Sequence, residues 1–216
     1  KGGTPWGRGG DTFGLTANLA VAGLPDRVSF QPGGFAQIID GLRVEAEGDL
    51  VIEMTDGNAQ VVAASNPLRL VRDAALLPYW GDLHGQSEET IGTNSARDFF
   101  TFARDKAFLD ACVHQGNDFQ ITNEFWAWLN ELSAEFNEDG RFVVFPGYEW
   151  SGNTGLGGDR NVLYMDEGRQ IHRSSHALVA DLSDVATDPN SAAHLFEASH
   201  AAACIVFARP AGPPPP

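Results

Sequence analysis

The sequence predicts an α/β protein preceded by a small β-rich module. From about residue 73, apolar strand-like runs alternate with amphipathic helical segments, which is typical of a largely parallel sheet or barrel. Before that point the short apolar runs have no helical period. We therefore predict a disordered glycine-rich segment, the β-rich module, an α/β domain and a proline-rich tail, at residues 1–17, 18–72, 73–209 and 210–216.

Composition narrows the classes of partner. The chain has 216 residues, 43% of them hydrophobic, and a formal net charge of −15. This length supports one sizeable core. The deficit of Lys and Arg argues against nucleic acid and against anionic membranes as partners. No apolar run reaches the roughly 20 residues that a membrane span requires. An acidic balance suits cation binding, but it also suits an ordinary solvated surface.

The β-rich module is predicted to hold five short strands. Asp56-Gly57 separates the last two of them and is typical of a hairpin turn. The segment contains no cluster of histidine, cysteine or carboxylate side chains, so we assign it no chemistry. The predicted strands cover residues 18–22, 35–39, 41–46, 50–54 and 59–63.

The α/β domain is predicted to begin with an apolar strand. Ser95 is a good N-cap residue for the first helix, and Thr122 or Asn123 for the second, and an apolar pattern at helical spacing follows each cap. The predicted strands cover residues 74–80, 117–122, 141–146, 161–165 and 203–208, and the predicted helices cover residues 95–112, 122–138 and 191–200.

Polar side chains cluster near the ends of these predicted strands. His84 follows the first strand, Asn123-Glu124 the second and Glu149 the third, while Asp159 precedes the fourth. The carboxyl ends of parallel strands converge on one rim, so these residues are expected to meet. One imidazole with several carboxylates is a donor set for Zn²⁺, Mn²⁺ or Fe²⁺. Such an ion can acidify a bound water.

Simpler explanations remain open for most of these residues. A histidine after a strand can be structural, and Glu124 in the first turn of a helix is stabilised by the helix dipole alone. Asp159-Arg160 can be a loop ion pair, and His114 can interact with a helix C-terminus. Glu149 stands between two aromatic residues at the end of an apolar strand. A buried carboxylate there needs a hydrogen-bonding partner or a metal.

Residues 82–87 (Asp-Leu-His-Gly-Gln-Ser) resemble the first motif of the PHP superfamily (polymerase and histidinol phosphatase), Asp-Leu-His-x-His-Thr/Ser. Over residues 66–208 the chain is similar to a bacterial PHP-like family of unknown function, DUF3604. The resemblance implies a distorted (β/α)7 barrel that binds divalent metal ions and hydrolyses phosphoesters, with a small molecule as substrate. The segments that carry it are residues 66–82, 119–122, 147–150 and 159–162.

Only some of the functional residues that this resemblance implies are present in the sequence. His84 matches the first histidine of the motif, whereas Gln86 replaces the second. Glu149 matches a bridging glutamate of the superfamily, and Asp159 stands where relatives often have histidine. The expected metal ligands are His84, Glu124, Glu149 and Asp159. The expected substrate-binding or supporting residues are Asp82, Gln86, Asn123 and Arg160. His114 and His176 are the candidates for proton transfer.

Arg209 stands where the resemblance implies a metal-binding histidine, and the family pattern continues beyond it, so the C-terminal end resembles a truncation of an incomplete barrel. Three hypotheses follow. The first is a metal-dependent phosphoesterase that uses a metal-activated water. The second is a non-catalytic barrel that serves as a binding or scaffold module. The third is a metal-dependent lyase or amidohydrolase-like enzyme. The compartment, bacterial cytoplasm or periplasm, is left open.

Overall fold

The chain folds as two compact units that divide between Leu77 and Pro78. The structure is a computed structural model, and it describes residues 12–31, 37–152, 154–200 and 204–208. The sequence placed the change of character at residue 73. None of the described helices is both long and apolar enough to cross a membrane.

The first unit is built from antiparallel strands. Four of them form a sheet in the order β2-β1-β4-β5, and β3 pairs with β6. The predicted hairpin at Asp56-Gly57 is confirmed, because β4 and β5 pair across it and Asp56 Oδ1 accepts the backbone N–H of Asn58 at 2.8 Å. The strands are β1 (Thr12–Ala17), β2 (Arg27–Ser29), β3 (Gly48–Leu50), β4 (Ile52–Thr55), β5 (Val61–Ala64) and β6 (Leu68–Leu70).

Several predictions for this unit are wrong. Residues 12–17 form β1, although we expected disorder up to residue 17, and the strands predicted at 18–22 and 41–46 are reduced to one bridge between Ala22 and Arg43. The strand predicted at 35–39 is not formed at residues 37–39. Residues 35 and 36 lie outside the described part of the chain, as do residues 1–11 and the predicted tail at 210–216. Pairing on both sides holds β1 in place despite its weak alternation.

The described part of the second unit contains two three-stranded sheets and three α-helices. Strands β7, β8 and β9 pair in parallel, and β10, β11 and β12 pair antiparallel. No closed barrel is formed by the strands that are described, so the barrel stays a prediction. The elements are β7 (Gly81–Gly85), α1 (Ala96–Asp105), β8 (Ala111–His114), α2 (Asn123–Phe136), β9 (Val143–Phe145), β10 (Gly147–Trp150), β11 (Arg160–Tyr164), α3 (Ala192–Ser199) and β12 (Cys204–Ala208).

The predicted start of α1 is confirmed, but its predicted end is wrong. Ser95 and Asp98 form a capping box, in which the Ser95 side chain accepts the Asp98 N–H and the Asp98 carboxylate accepts the Ser95 N–H. The helix ends at Asp105 instead of continuing to 112, and Phe108 then adopts a φ of +53°. A left-handed residue cannot continue a right-handed helix. Residues 111–114 are therefore free to form β8.

Two predicted strands of this unit are also displaced. The strand predicted at 74–80 is an exposed segment, in which Leu76 is 89% exposed, and the strand begins only at Gly81. The strand predicted at 117–122 is replaced by a 3₁₀ turn at Asp118–Gln120 that follows β8. Parallel pairing of β7 with β8 fixes this register. As a result His84 lies inside a strand instead of in the loop after it.

Helix α2 and the strands enclose the hydrophobic core of this unit. The Thr122 side chain caps α2 by accepting the Phe125 N–H at 3.1 Å. The predicted apolar face of this helix is confirmed, with Trp126, Leu129, Leu132 and Phe136 buried. The core holds the strands that carry the polar residues described below. Its other buried members include Phe100, Cys112, Phe142, Val144, Tyr148, Trp150, Val162, Tyr164 and Leu195.

Candidate functional site

A row of three polar residues crosses neighbouring strands of the second unit. Glu149 of β10 is the register partner of Asn161 of β11, and it forms a parallel bridge with Asn117, which follows β8. Residues directly opposite each other on paired strands present their side chains on the same face. The row therefore places one carboxylate between two amides.

Glu149 is almost completely buried, with 1% of its side chain exposed. Its Oε2 accepts a hydrogen bond from Asn117 Nδ2 at 3.0 Å and one from Gln86 Nε2 at 3.3 Å. A carboxylate is unfavourable in a protein interior unless its oxygens accept hydrogen bonds or bind a cation. The two amides supply this compensation and fix the direction of the carboxylate.

His84 faces Glu149 from β7. Its Nδ1 lies 3.0 Å from Asn161 Oδ1, and its Nε2 lies 3.9 Å from Glu149 Oε2. An amide oxygen only accepts, so Nδ1 carries the proton and, in the neutral ring, the lone pair is on Nε2. His84 is 30% exposed, which opens this side of the cluster to solvent. The cluster thus combines a buried carboxylate with an oriented, accessible imidazole.

Asn117 contributes a side-chain oxygen that is not hydrogen-bonded within the described part of the chain. Both protons of its Nδ2 are used, by Glu149 Oε2 and by Ser151 Oγ, each at 3.0 Å. Its buried Oδ1 has no hydrogen-bond partner among the described residues. An unsatisfied buried oxygen costs about 1–3 kcal/mol. An ion or ligand that reached this oxygen would remove that cost.

Asp118, next to Asn117, is a buried carboxylate that the sequence analysis did not single out. Burial raises the pKa of Asp118 to about 6, and hydrogen bonds from Ser174, Ser151 and Phe119 act in the opposite direction. Its Oδ1 accepts the Ser151 N–H and the Ser174 hydroxyl, both at 3.1 Å, and its Oδ2 accepts the Ser174 N–H. These bonds join the segment after β10 to the loop that contains Ser174.

The structure places His114 and His176 in hydrogen-bonding environments of their own. His114 is 1% exposed at the end of β8; its Nδ1 accepts the Gly116 N–H at 3.3 Å and its Nε2 lies 2.7 Å from Ser87 Oγ. Burial lowers the pKa of His114 to about 4. His176 Nε2 lies 2.9 Å from Asp184 Oδ1. Asp188 Oδ2 is 2.8 Å from His176 Nδ1, off the direction a hydrogen bond requires.

The remaining predicted ligands are not in the polar row. Glu124 is exposed in the first turn of α2, and its carboxylate makes no hydrogen bond or ion pair to another described residue. The backbone oxygen of Asp159 accepts a hydrogen bond from Arg160 Nη1 at 2.8 Å, and the Asp159 carboxylate bonds to none of the residues that the structure describes. Arg160 precedes Asn161 in β11, and successive strand residues point to opposite faces, so Arg160 faces away from His84.

The other predicted supporting residues have local partners. Asp82 is exposed, and its Oδ1 accepts the His84 N–H at 3.0 Å. Asn123 Oδ1 accepts a hydrogen bond from Arg173 Nη2 at 2.7 Å, and Asn123 Nδ2 donates to Asp181 at 3.0 Å. Of the ten predicted site residues, the structure therefore brings His84, Gln86 and Glu149 together directly.

The donor set can be compared with the needs of a divalent metal. Zinc–ligand bonds are about 2.0–2.2 Å long, so His84 Nε2 and Glu149 Oε2, 3.9 Å apart, can both reach one ion. No group of three or more histidine, cysteine or carboxylate side chains suited to a metal occurs in the described ranges. Amide oxygens also bind hard cations, and Asn117 supplies one that no other described residue hydrogen-bonds. The residues fit a mixed nitrogen and oxygen site.

Sequence reasoning missed Asn117, Asn161 and Asp118. Asn161 is followed by the apolar residues Val162 and Leu163. A single polar residue at the start of an apolar strand is only a weak indication of a functional site. Asn117 and Asp118 follow a buried strand that was itself predicted in the wrong place. Correct placement of β8 would have put them at a strand end.

Comparison with known proteins identifies the family. The family model for a protein of unknown function, DUF3604, matches residues 54–202. The chain belongs to this family. The match spans every residue of the DUF3604 chain that forms the polar row, together with His84 and Gln86.

Curated relatives of this DUF3604 protein occur in Chlamydia. Uncharacterized proteins of Chlamydia pneumoniae and Chlamydia trachomatis are each 26% identical over 132 residues, and one of Chlamydia muridarum is 24% identical over the same length. The alignment covers 60% of this chain and 21% of each relative, so the chain spans about a fifth of their length. No solved structure matches the chain.

Proposed function

We propose that His84 and Glu149, with Asn117 orienting the carboxylate, bind a divalent metal ion in a metal-dependent hydrolase of the PHP type. The observation that carries this proposal is the 3.9 Å approach of His84 Nε2 to the buried Oε2 of Glu149. The other ring nitrogen of His84 is held by Asn161 at 3.0 Å. Metal-binding histidines are typically oriented by such a second hydrogen bond.

A bound metal would supply Lewis acidity and a water acidified toward neutral pH. Four side chains would bind this ion or orient its ligands. His84 Nε2 and the Glu149 carboxylate would hold the ion, while the amides of Gln86 and Asn117 orient the carboxylate through Oε2. His84 is partly exposed, which gives a substrate access to the cluster.

A phosphoester of a small molecule is the proposed substrate. The resemblance of residues 82–87 to the first PHP motif and the parallel arrangement of β7, β8 and β9 support this choice. Parallel strands bring their carboxyl ends to one edge, as a PHP-type barrel requires. His114 is a poor proton donor in this scheme, because its pKa is lowered to about 4 and it is buried.

Manganese binding tests the proposal. We expect Glu149→Gln to weaken Mn²⁺ binding, measured by isothermal titration calorimetry, by at least about 10-fold, since it removes the anionic ligand. Glu124→Gln is the matched control, because Glu124 is exposed and makes no hydrogen bond or ion pair to another described residue. We expect this control to change the affinity less than about 2-fold.

Hydrolysis of a generic aryl phosphate in the presence of Mn²⁺ should be lost in Glu149→Gln and kept in Glu124→Gln. Wild-type protein that binds none of Mn²⁺, Zn²⁺ and Fe²⁺ would contradict the proposal. So would a Glu149→Gln variant that binds Mn²⁺ as tightly as the wild type.

One observation favours a non-catalytic binding module as the second candidate. Glu149 Oε2 already accepts hydrogen bonds from two amides, which satisfy the carboxylate without a metal. In that case Glu149→Gln should lower stability while the wild type binds no metal. A metal-dependent lyase or an amidohydrolase-like enzyme would share the metal result, and a panel of phosphoesters, amides and lyase substrates separates these activities.

A further inference from the structure

We propose that Asp118 is a positioning residue of the Glu149 cluster. It would act through Ser151 and Asn117, and it would make the loop around Ser174 part of the site. One test of this inference measures Mn²⁺ affinity and rests on the proposed function. The other test follows the NMR resonances of the Asn117 side chain and does not depend on metal binding.

The first link joins Asp118 to two segments of chain. Asp118 is fully buried, and its Oδ1 accepts the Ser151 N–H at 3.1 Å. The same oxygen accepts the Ser174 hydroxyl at 3.1 Å, and Oδ2 accepts the Ser174 N–H. One side chain thereby fixes the residue that follows β10 and a residue more than twenty positions further along.

The second link runs from Ser151 to the carboxylate. Ser151 Oγ donates to Glu149 O at 3.2 Å and accepts from Asn117 Nδ2 at 3.0 Å. The other proton of Asn117 Nδ2 is donated to Glu149 Oε2 at 3.0 Å. If Ser151 moves, Asn117 loses one of the two bonds that set its rotation. The oxygen of Glu149 that faces His84 then loses a fixed donor.

The third link is the anchoring of the loop itself. Arg173 is fully buried, and its Nη1 bonds Asp184 Oδ2 at 2.5 Å. Its Nη2 donates to Asn123 Oδ1 at 2.7 Å and to Ile121 O at 2.9 Å. The loop is thus held at the start of α2, independently of Asp118. Ser174, the next residue, is presented to Asp118 from a fixed backbone.

The test replaces Asp118 with asparagine, which keeps the size of the side chain. In Asp118→Asn an NH₂ group replaces one carboxylate oxygen. This NH₂ group cannot accept a hydrogen bond, so the backbone N–H of either Ser174 or Ser151 loses its acceptor. We expect Mn²⁺ affinity to fall by about 10- to 100-fold, the usual effect of removing a group that supports metal ligands. The matched control is Asp110→Asn, since Asp110 Oδ2 also accepts a backbone N–H, that of Trp80 at 2.8 Å.

Asp110 precedes β8 and Asp118 follows it, so the control lies at the other end of the strand. We expect Asp110→Asn to lower the unfolding midpoint and to leave the Mn²⁺ affinity within about 2-fold of the wild type. An Asp118→Asn variant with the affinity of the control would overturn the inference.

The second readout needs no metal. The side-chain ¹⁵N–¹H resonances of Asn117 should shift in Asp118→Asn and stay in place in Asp110→Asn. If the wild type binds no Mn²⁺, the proposed function fails, and these resonances alone decide the role of Asp118. If Asp118→Asn does not fold, Ser174→Ala removes only the hydroxyl bond to Oδ1 and should shift the same resonances. Unmoved Asn117 resonances in that variant would equally overturn the inference.

Discussion

At the scale of single residues, Gln86 explains how the cluster differs from the motif that it resembles. The motif has a histidine in this place, and a histidine could bind a metal directly. Gln86 turns its amide nitrogen toward Glu149 Oε2 at 3.3 Å, and its oxygen accepts from Thr90 Oγ1 at 3.1 Å. Because the nitrogen carries the contact, Gln86 acts as a hydrogen-bond donor to a carboxylate and not as a metal ligand.

His114 predicts a pH dependence of stability. Burial lowers its pKa to about 4, below the value of about 6.5 in an unfolded chain. The unfolded state therefore binds the proton more readily between these pH values, and the free energy of unfolding falls as the pH drops from 6.5 to 4. The full effect of this histidine is about 3 kcal/mol.

Urea unfolding of the wild type and of His114→Gln at pH 7 and pH 4.5 checks this prediction. Asp118 changes the stability with pH in the opposite direction, so the wild type alone does not show the effect of His114. Both proteins contain Asp118, and the difference between them therefore isolates the contribution of His114. The pKa of Asp118 is raised to about 6, so its ionisation lowers stability as the pH rises from about 4 to about 6. Identical losses for wild type and variant on acidification would contradict the role given to His114.

At the scale of elements, β10 is the strand on which the site depends. Both of its faces are buried, and it carries Glu149 between β11 and the segment that follows β8. Such a strand leaves little room at its start. A Cβ on Gly147 would lie 2.4 Å from Val113 Cγ1 and 2.7 Å from the backbone oxygen of Val162.

Gly147→Ala should therefore destabilise the protein by about 1–3 kcal/mol, since a strand must shift to admit the methyl group. Gly57→Ala is the control, because a Cβ at Gly57 meets nothing within 4 Å. We expect the control to stay within about 0.5 kcal/mol of the wild type in urea unfolding. Equal stability of the two variants would mean that β10 is less tightly packed than the structure indicates.

At the scale of the whole molecule, the two units differ in how much apolar surface they bury. The buried hydrophobic cluster is drawn from residues 96–195, all in the second unit. Among the described residues of the first unit, only Val28 and Leu50 are buried hydrophobic residues. Burial of apolar surface is the main source of stability. Stability should therefore be concentrated in the second unit.

Hydrogen exchange followed by mass spectrometry checks this expectation. No residue of β4 or β5 is buried, so peptides from these two strands should exchange much faster than peptides from β8, α2 and β10. Equal protection of β5 and β10 would contradict it. If the expectation holds, Glu149 lies in one of the slowly exchanging strands, β10.

Part of this architecture could be predicted from the sequence. Ser95 and Thr122 start helices because their hydroxyls accept orphan backbone N–H groups. Asp56 starts the hairpin turn because its carboxylate accepts the backbone N–H groups of Asn58 and Gln60. These are local effects, and local sequence decides them. The strand predicted at 74–80 is wrong because nothing local determines which strand-like run pairs with β8, and the pairing begins only at Gly81.

The same distinction applies to the site. The amino-acid sequence is enough to identify the chemical groups of the cluster, an imidazole at His84 and a carboxylate at Glu149 that needs partners in the interior. Which side chains surround these two groups depends on long-range strand pairing. The register of β10 against β11, and its bridge to Asn117, bring two amides beside Glu149 and leave Glu124 and Asp159 elsewhere. Strand register joins residues distant in sequence, and a slip of one residue would turn every side chain to the other face.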